Sequence, residues 1–153
     1  MASDYRAVVA ALRLGAERFA TGTYMVWYPL LARRESVELP ARLVRAAGSD
    51  YLHVALQVRA PSIDQFGLHG SGILVVNPPW KLAGEVEATM PWLTEALAQD
   101  ATARHRFDAH QTLMPQAWRR QAPRRATAGR APAAQHAVTI IRVTTSGWTP
   151  MRA

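Results

Sequence analysis

Residues 73–80 read Ile-Leu-Val-Val-Asn-Pro-Pro-Trp, and no other stretch narrows the possible folds so far. Four aliphatic residues in succession predict a buried strand. Pro78 and Pro79 lack the N–H groups that a ladder needs, so the strand must end there. Asn77 and Trp80 are thereby left just beyond a strand's carboxyl end, where open α/β sheets place ligands. Two readings follow for Asn77, Pro78, Pro79 and Trp80: a strand stop pinned by a packed Trp80, or a substrate-side motif.

The chain before this point alternates between helical and extended patterns. Tyr5, Val8, Val9, Leu12, Ala16 and Phe19 recur at helical spacing, with Ser3 or Asp4 as N-cap and Gly22 just past the end. Thr23 to Tyr28 is dense in β-branched and aromatic residues, which predicts an interior strand stopped by Pro29. From Leu30 to Ala47 the spacing is helical again, with Pro40 dividing it and Gly48 ending it. Tyr51 to Val58 alternates, with Leu52, Val54, Leu56 and Val58 on one face and Tyr51, His53, Ala55 and Gln57 on the other. A loop over 59–69 leads into the strand from Gly70 to Asn77 with no helix between, so these two strands form an antiparallel pair. Leu82, Val86, Met90, Leu93 and Leu97 then make a helical stripe kinked or restarted at Pro91.

Charge divides the chain. All 11 acidic residues fall within residues 1–110, where they are matched by 11 of the 18 lysines and arginines. The formal excess of +7 therefore belongs to residues 111–153. That tail is rich in Arg, Ala and Pro and has no acid, the composition of a disordered segment. Within it, Val138 to Val143 could form a strand or remain an isolated sticky segment. The pairs Arg119, Arg120 and Arg124, Arg125 are candidates for RNA binding through phosphates, an interaction that gives affinity without specificity. There is no cysteine, which excludes disulfides and thiolate chemistry. With no signal peptide and no apolar run of membrane length, the expectation is a soluble, cytoplasmic chain.

Other motifs have plain structural explanations. Gly67-Leu68-His69-Gly70-Ser71-Gly72 precedes a strand and does not link a strand to a helix, so it reads as a strand entry and not as a phosphate loop. Ser71 lacks the flanking glycines of a nucleophile elbow. His105, Asp108 and His110 match no metal-ligand spacing, and no metal is expected. His53 reads as a hydrogen-bonded structural histidine.

Several of these stretches together resemble one family. Asp4-Tyr5-Arg6-Ala7-Val8-Val9, the run Ala20-Thr21-Gly22 through Trp27-Tyr28-Pro29, Gly70-Ser71-Gly72, Val76 through Leu82 and Met90-Pro91-Trp92-Leu93 occur in order across residues 4–100. The chain is similar to the RlmJ family of 23S rRNA adenine-N6 methyltransferases. The resemblance implies the second half of a class I, Rossmann-like α/β sheet, with parallel strands, one antiparallel strand near its carboxyl end, and a helix. It implies S-adenosylmethionine as cofactor and 23S rRNA as partner.

The tetrapeptide Asn77-Pro78-Pro79-Trp80 has the form of the Asp/Asn-Pro-Pro-aromatic motif of amino-group methyltransferases, in which an amide or carboxylate and the first proline's carbonyl accept from an exocyclic amine and a ring stacks on the base. It matches a second, later tetrapeptide of the family. The catalytic Asp-Pro-Pro-Tyr and the glycine-bearing donor-binding turn of the family lie upstream of Asp4, so no catalytic residue carries over. The expectation is a methyltransferase half over residues 1–110, inactive without an amino-terminal half, followed by the basic tail. The alternative is a non-catalytic, basic RNA-binding module.

Overall fold

The computed structural model describes residues 2–48, 50–61, 67–111 and 138–142. In chain order the elements are α1 (Ala2–Arg18), β1 (Thr23–Leu30), α2 (Arg34–Ala47), β2 (Tyr51–Gln57), β3 (Gly70–Val76), α3 (Leu82–Leu97), β4 (Arg104–His110) and β5 (Val138–Arg142). The strands form one mixed sheet in the order β4-β2-β3-β1-β5. β3 is antiparallel to both β1 and β2, so β1 and β2 run in the same direction. β4 is antiparallel to β2, whereas β5 pairs parallel with β1.

The predicted helical stripe of α1 supplies the core. Val8 and Leu12 are buried with Tyr24, Val26 and Tyr28 of β1, Leu39 and Leu43 of α2, and Leu74 and Val76 of β3. Helices α1 and α2 thus cover one face of the sheet over β1 and β3. Phe19 departs from the stripe: α1 ends at Arg18 and the Phe19 side chain is exposed. The turn is closed by Tyr24, whose hydroxyl proton is shared between the carbonyls of Gly15 at 2.7 Å and Phe19 at 2.9 Å. The same two carbonyls also accept from the backbone N–H groups of Phe19 and Gly22, so Tyr24 adds a second donor to each.

Helix α3 lies on the opposite face. Register places Asp108 opposite His53, and His53 opposite Leu74 of the core, so Asp108 shares the α1–α2 face. Alternation then turns His105 the other way, where its Nδ1 meets Thr94 Oγ1 of α3 at 2.8 Å. The mixed face of β2, with Tyr51 and His53, is therefore the one beside the main core.

Three boundaries differ from the sequence reading. β1 continues through Pro29 to Leu30, because the Pro29 carbonyl turns toward the Ser36 hydroxyl, which donates to it at 3.0 Å. In an extended residue the nitrogen lies on the same side as the carbonyl, so Pro29 owes β3 no hydrogen bond. Pro40 and Pro91 lie inside single helices and do not divide them. Each removes one helical bond, and Pro91 stands on the exposed surface, where water can serve the freed carbonyl of Glu87. Finally, residues 104–110 form a strand that the sequence reading left unassigned, which gives two strands, β3 and β4, that run against the others where the resemblance implies one. Its Arg-His-Arg-Phe-Asp-Ala-His composition suits an edge, where charge discourages further pairing.

The glycines at the start of β3 are fixed by close approach. A Cβ on Gly70 would lie 2.2 Å from the Leu56 carbonyl oxygen, and one on Gly72 would lie 2.2 Å from the Tyr28 ring. Only a residue without a side chain lets the ring of Tyr28 cross β3.

Candidate functional site

The motif after β3 forms a junction between three parts of the chain. Asn77 adopts a left-handed backbone with φ of 49°, a conformation Asn tolerates better than most residues. Its backbone N–H donates to Asp50 at 3.0 Å, and its carbonyl accepts from the Thr23 hydroxyl at 3.0 Å. Its side-chain NH₂ donates to the carbonyls of Ala20 at 2.7 Å and Gly22 at 2.8 Å. Both amide hydrogens are therefore committed to the α1–β1 turn, and the start of β2 is tied to the same residue. The side-chain oxygen of Asn77 has no hydrogen-bond partner among the described residues and remains an acceptor.

The two prolines carry the chain from the sheet into α3. The Pro79 carbonyl accepts from the Leu82 N–H at 2.9 Å, starting the helix. The Pro78 carbonyl lies 3.4 Å from Gln111 Nε2, so an amide from the end of β4 approaches the acceptor that the tetrapeptide form reserves for an amine. Trp80 does not pin the strand. It is 80% exposed, with the Lys81 ammonium 4.9 Å from its ring centroid. The strand stop is instead held by the hydrogen bonds of Asn77, which sequence spacing cannot reveal. Chemically, the motif offers a fixed amide acceptor and an uncovered indole face, with a cation beside the ring.

Beside the core face lies a second polar group. The Tyr28 hydroxyl is 2.6 Å from His53 Nε2, and both residues are buried. Burial pushes the Tyr28 phenol above its ordinary range, an effect opposed by Arg106. Burial also lowers His53, with Arg106 adding to it and Asp108 opposing it. With both groups neutral, the tautomer of His53 sets which of the two donates. One strand further out, the Tyr51 hydroxyl donates to Asp108 Oδ2 at 3.2 Å, and its ring stacks on His110 with centroids 6.2 Å apart. His53 is thus the bonded structural histidine that its sequence setting suggests. His105, Asp108 and His110 do not converge, because β4 turns His105 toward α3 and the other two to the opposite face. Arg119, Arg120, Arg124 and Arg125 lie outside the described residues.

Sequence reasoning had no signal for the partners of this junction. Thr23 and Gln111 are separated from the motif by 54 and 33 residues and sit in no recognisable pattern with it.

This mixed α/β chain, with Asn77 at the junction of β3 and α3, matches a methyltransferase family in sequence. The sequence model described as "RsmJ: Ribosomal RNA large subunit methyltransferase D, RlmJ" matches residues 1–108, and the chain belongs to that family. It is 39% identical over 99 residues to the ribosomal RNA large subunit methyltransferase J of Haemophilus influenzae, covering 65% of this chain and 35% of that protein. To the protein of the same name from Escherichia coli it is 37% identical over 102 residues, covering 67% of this chain and 36% of the relative. The chain thus spans about a third of the length of these relatives. Among solved structures, protein LPL1258 from Legionella pneumophila superposes with a TM-score of 0.62 at 19% identity, over 72% of this chain and 40% of that one. That likeness concerns the fold. No helix among the described residues is long and apolar enough to cross a membrane.

Proposed function

We propose that this chain supplies the carboxyl-terminal part of an S-adenosylmethionine-dependent 23S rRNA adenine-N6 methyltransferase and transfers no methyl group alone. The observation that carries this reading is strand direction. β1, β2 and β5 run together, and β3 is inserted against the direction of β1 and β2, which is the arrangement expected near the end of a class I sheet. In such a sheet further parallel strands join on the β1 side.

The described residues do not fit the methyl donor. Gly70 and Gly72, the glycines nearest to a cradle, are filled by the Leu56 carbonyl and the Tyr28 ring. In the family, segments upstream of the residues that match Asp4 would hold the donor. Asn77 positions the α1–β1 turn, leaving its side-chain oxygen and the Trp80 ring as the groups able to meet an adenine. The Asp-Pro-Pro-Tyr motif of the family, absent from this chain, does the chemistry.

Incubation with S-adenosylmethionine and unmodified 23S rRNA tests the reading. The chain alone transfers nothing, and adding the upstream two-thirds of a family member restores transfer to adenine N6. Transfer by the isolated chain that vanished in Asn77→Ala would place the catalytic site here and defeat the proposal.

A further inference from the structure

An open groove of about 540 Å³ runs between α1 and α2 on the outer side of the helical layer. Arg6 and Arg13 of α1 line it with Arg42 and Arg45 of α2, over a floor that includes Leu14, and Glu17 is the one acid among the lining residues. Arg6 and Arg13 are seven residues apart, which puts them on the same helix face at a rise of about 10 Å. Arg42 and Arg45 are three apart on the facing helix, a spacing at which like charges repel.

Residues 1–110 are formally neutral as a whole, so this concentration of charge is local and not an overall basic character. It also costs stability unless an anion relieves it. Arg42 is engaged by Glu38 at 2.6 Å, but Arg13 and Arg45 have no hydrogen bond or ion pair with the described residues, and both are exposed. The groove is lined by guanidinium groups, with no ammonium. Their planar forks match phosphate oxygens in pairs, while Leu14, 47% exposed, offers an apolar floor to sugar edges.

We propose that the α1–α2 groove binds the phosphate backbone of the RNA strand, with Arg13 and Arg45 as its principal contacts. This rests on the reading that the chain serves an RNA-modifying enzyme, and it moves RNA binding from the basic tail to the folded helices. Contacts of this kind set the position of the RNA without reading its sequence.

The test uses the full chain and an unmodified 23S rRNA fragment, with affinity measured across a salt series. Arg13→Gln with Arg45→Gln is expected to weaken binding about tenfold and to flatten the slope of log affinity against log salt by about 1.5, as for two lost phosphate contacts. Arg13→Lys with Arg45→Lys retains most of the slope. A thermal midpoint at or above that of the wild type shows that the variants fold. Wild-type slope and affinity in the Gln variant overturn the groove. So does loss of all RNA binding on changing only Arg119, Arg120, Arg124 and Arg125 to Gln. The methyltransferase reading is judged separately by methyl transfer in the complemented enzyme, so either can fail without the other.

Discussion

The two sides of β1 differ in how they are made. Toward β3 it enters an antiparallel block in which β1, β3, β2 and β4 pair seven residues at a time. Toward β5 it makes one parallel ladder of five pairs, to a segment more than a hundred residues away in sequence. Within the block, β1 and β3 share a core with α1 and α2, and β2 packs against it through Tyr51, so loss of any one exposes the others. The β5 ladder is an outer layer added to a sheet that already has its core. The block should therefore set global stability, and the parallel edge should open locally.

The largest effect is expected from Gly72→Val. Its Cβ would stand 2.2 Å from the Tyr28 ring in the middle of the block, with β3 backbone on one side and buried helices on the other. Overpacking there should remove about 3 kcal/mol or more, measured as a shift in the urea midpoint. A loss below 1 kcal/mol would mean that the block yields and is not the rigid half of the comparison.

Ile140→Pro should do less and do it elsewhere. A proline in the middle of β5 disturbs that ladder alone, for an expected loss of about 1 kcal/mol. Hydrogen exchange should quicken at β1 amides facing β5 while those of β2 and β4 keep their protection. Equal acceleration across all strands would merge the two regions into one cooperative unit.

The smallest effect is one of pH. His53 lies in the block with a folded pKa below its ordinary 6.5, chiefly from burial. The unfolded chain then binds the proton more readily, so stability is full above about pH 6.5 and falls as pH drops toward the folded pKa. The urea midpoint should decline over that window, and His53→Gln should reduce the decline. A slope that survives the substitution unchanged would assign it to other groups, His69 among them, which burial also lowers.

What could be read from the sequence follows the same division. Val8 and Leu12 announce α1 because a buried face imposes helical spacing, and the antiparallel pairing of β2 with β3 follows from the short connection between them. β4 escaped because an edge strand needs little apolar content, and Phe107 and Ala109 are too few to set a period. β5 was visible as a β-prone segment but its partner was not, since nothing local specifies a parallel ladder. At the junction, the strand stop at Pro78 was legible, but the exposure of Trp80 and the double donation of Asn77 were not. Both depend on where distant carbonyls and helices come to lie. The four groove arginines were invisible as a group for the same reason, since two helices had to be placed side by side first.

The tip of the Tyr28 ring rests over Gly72 while its hydroxyl is held by His53. The hydroxyl lies on the axis about which the ring turns, so a half-turn keeps that bond but sweeps the ring edges through close-packed strand and helix. The ring can turn over only when α1 and α2 lift momentarily from the sheet. Aromatic proton spectra should resolve its two edges separately, and the rate at which they exchange would time the breathing of the core.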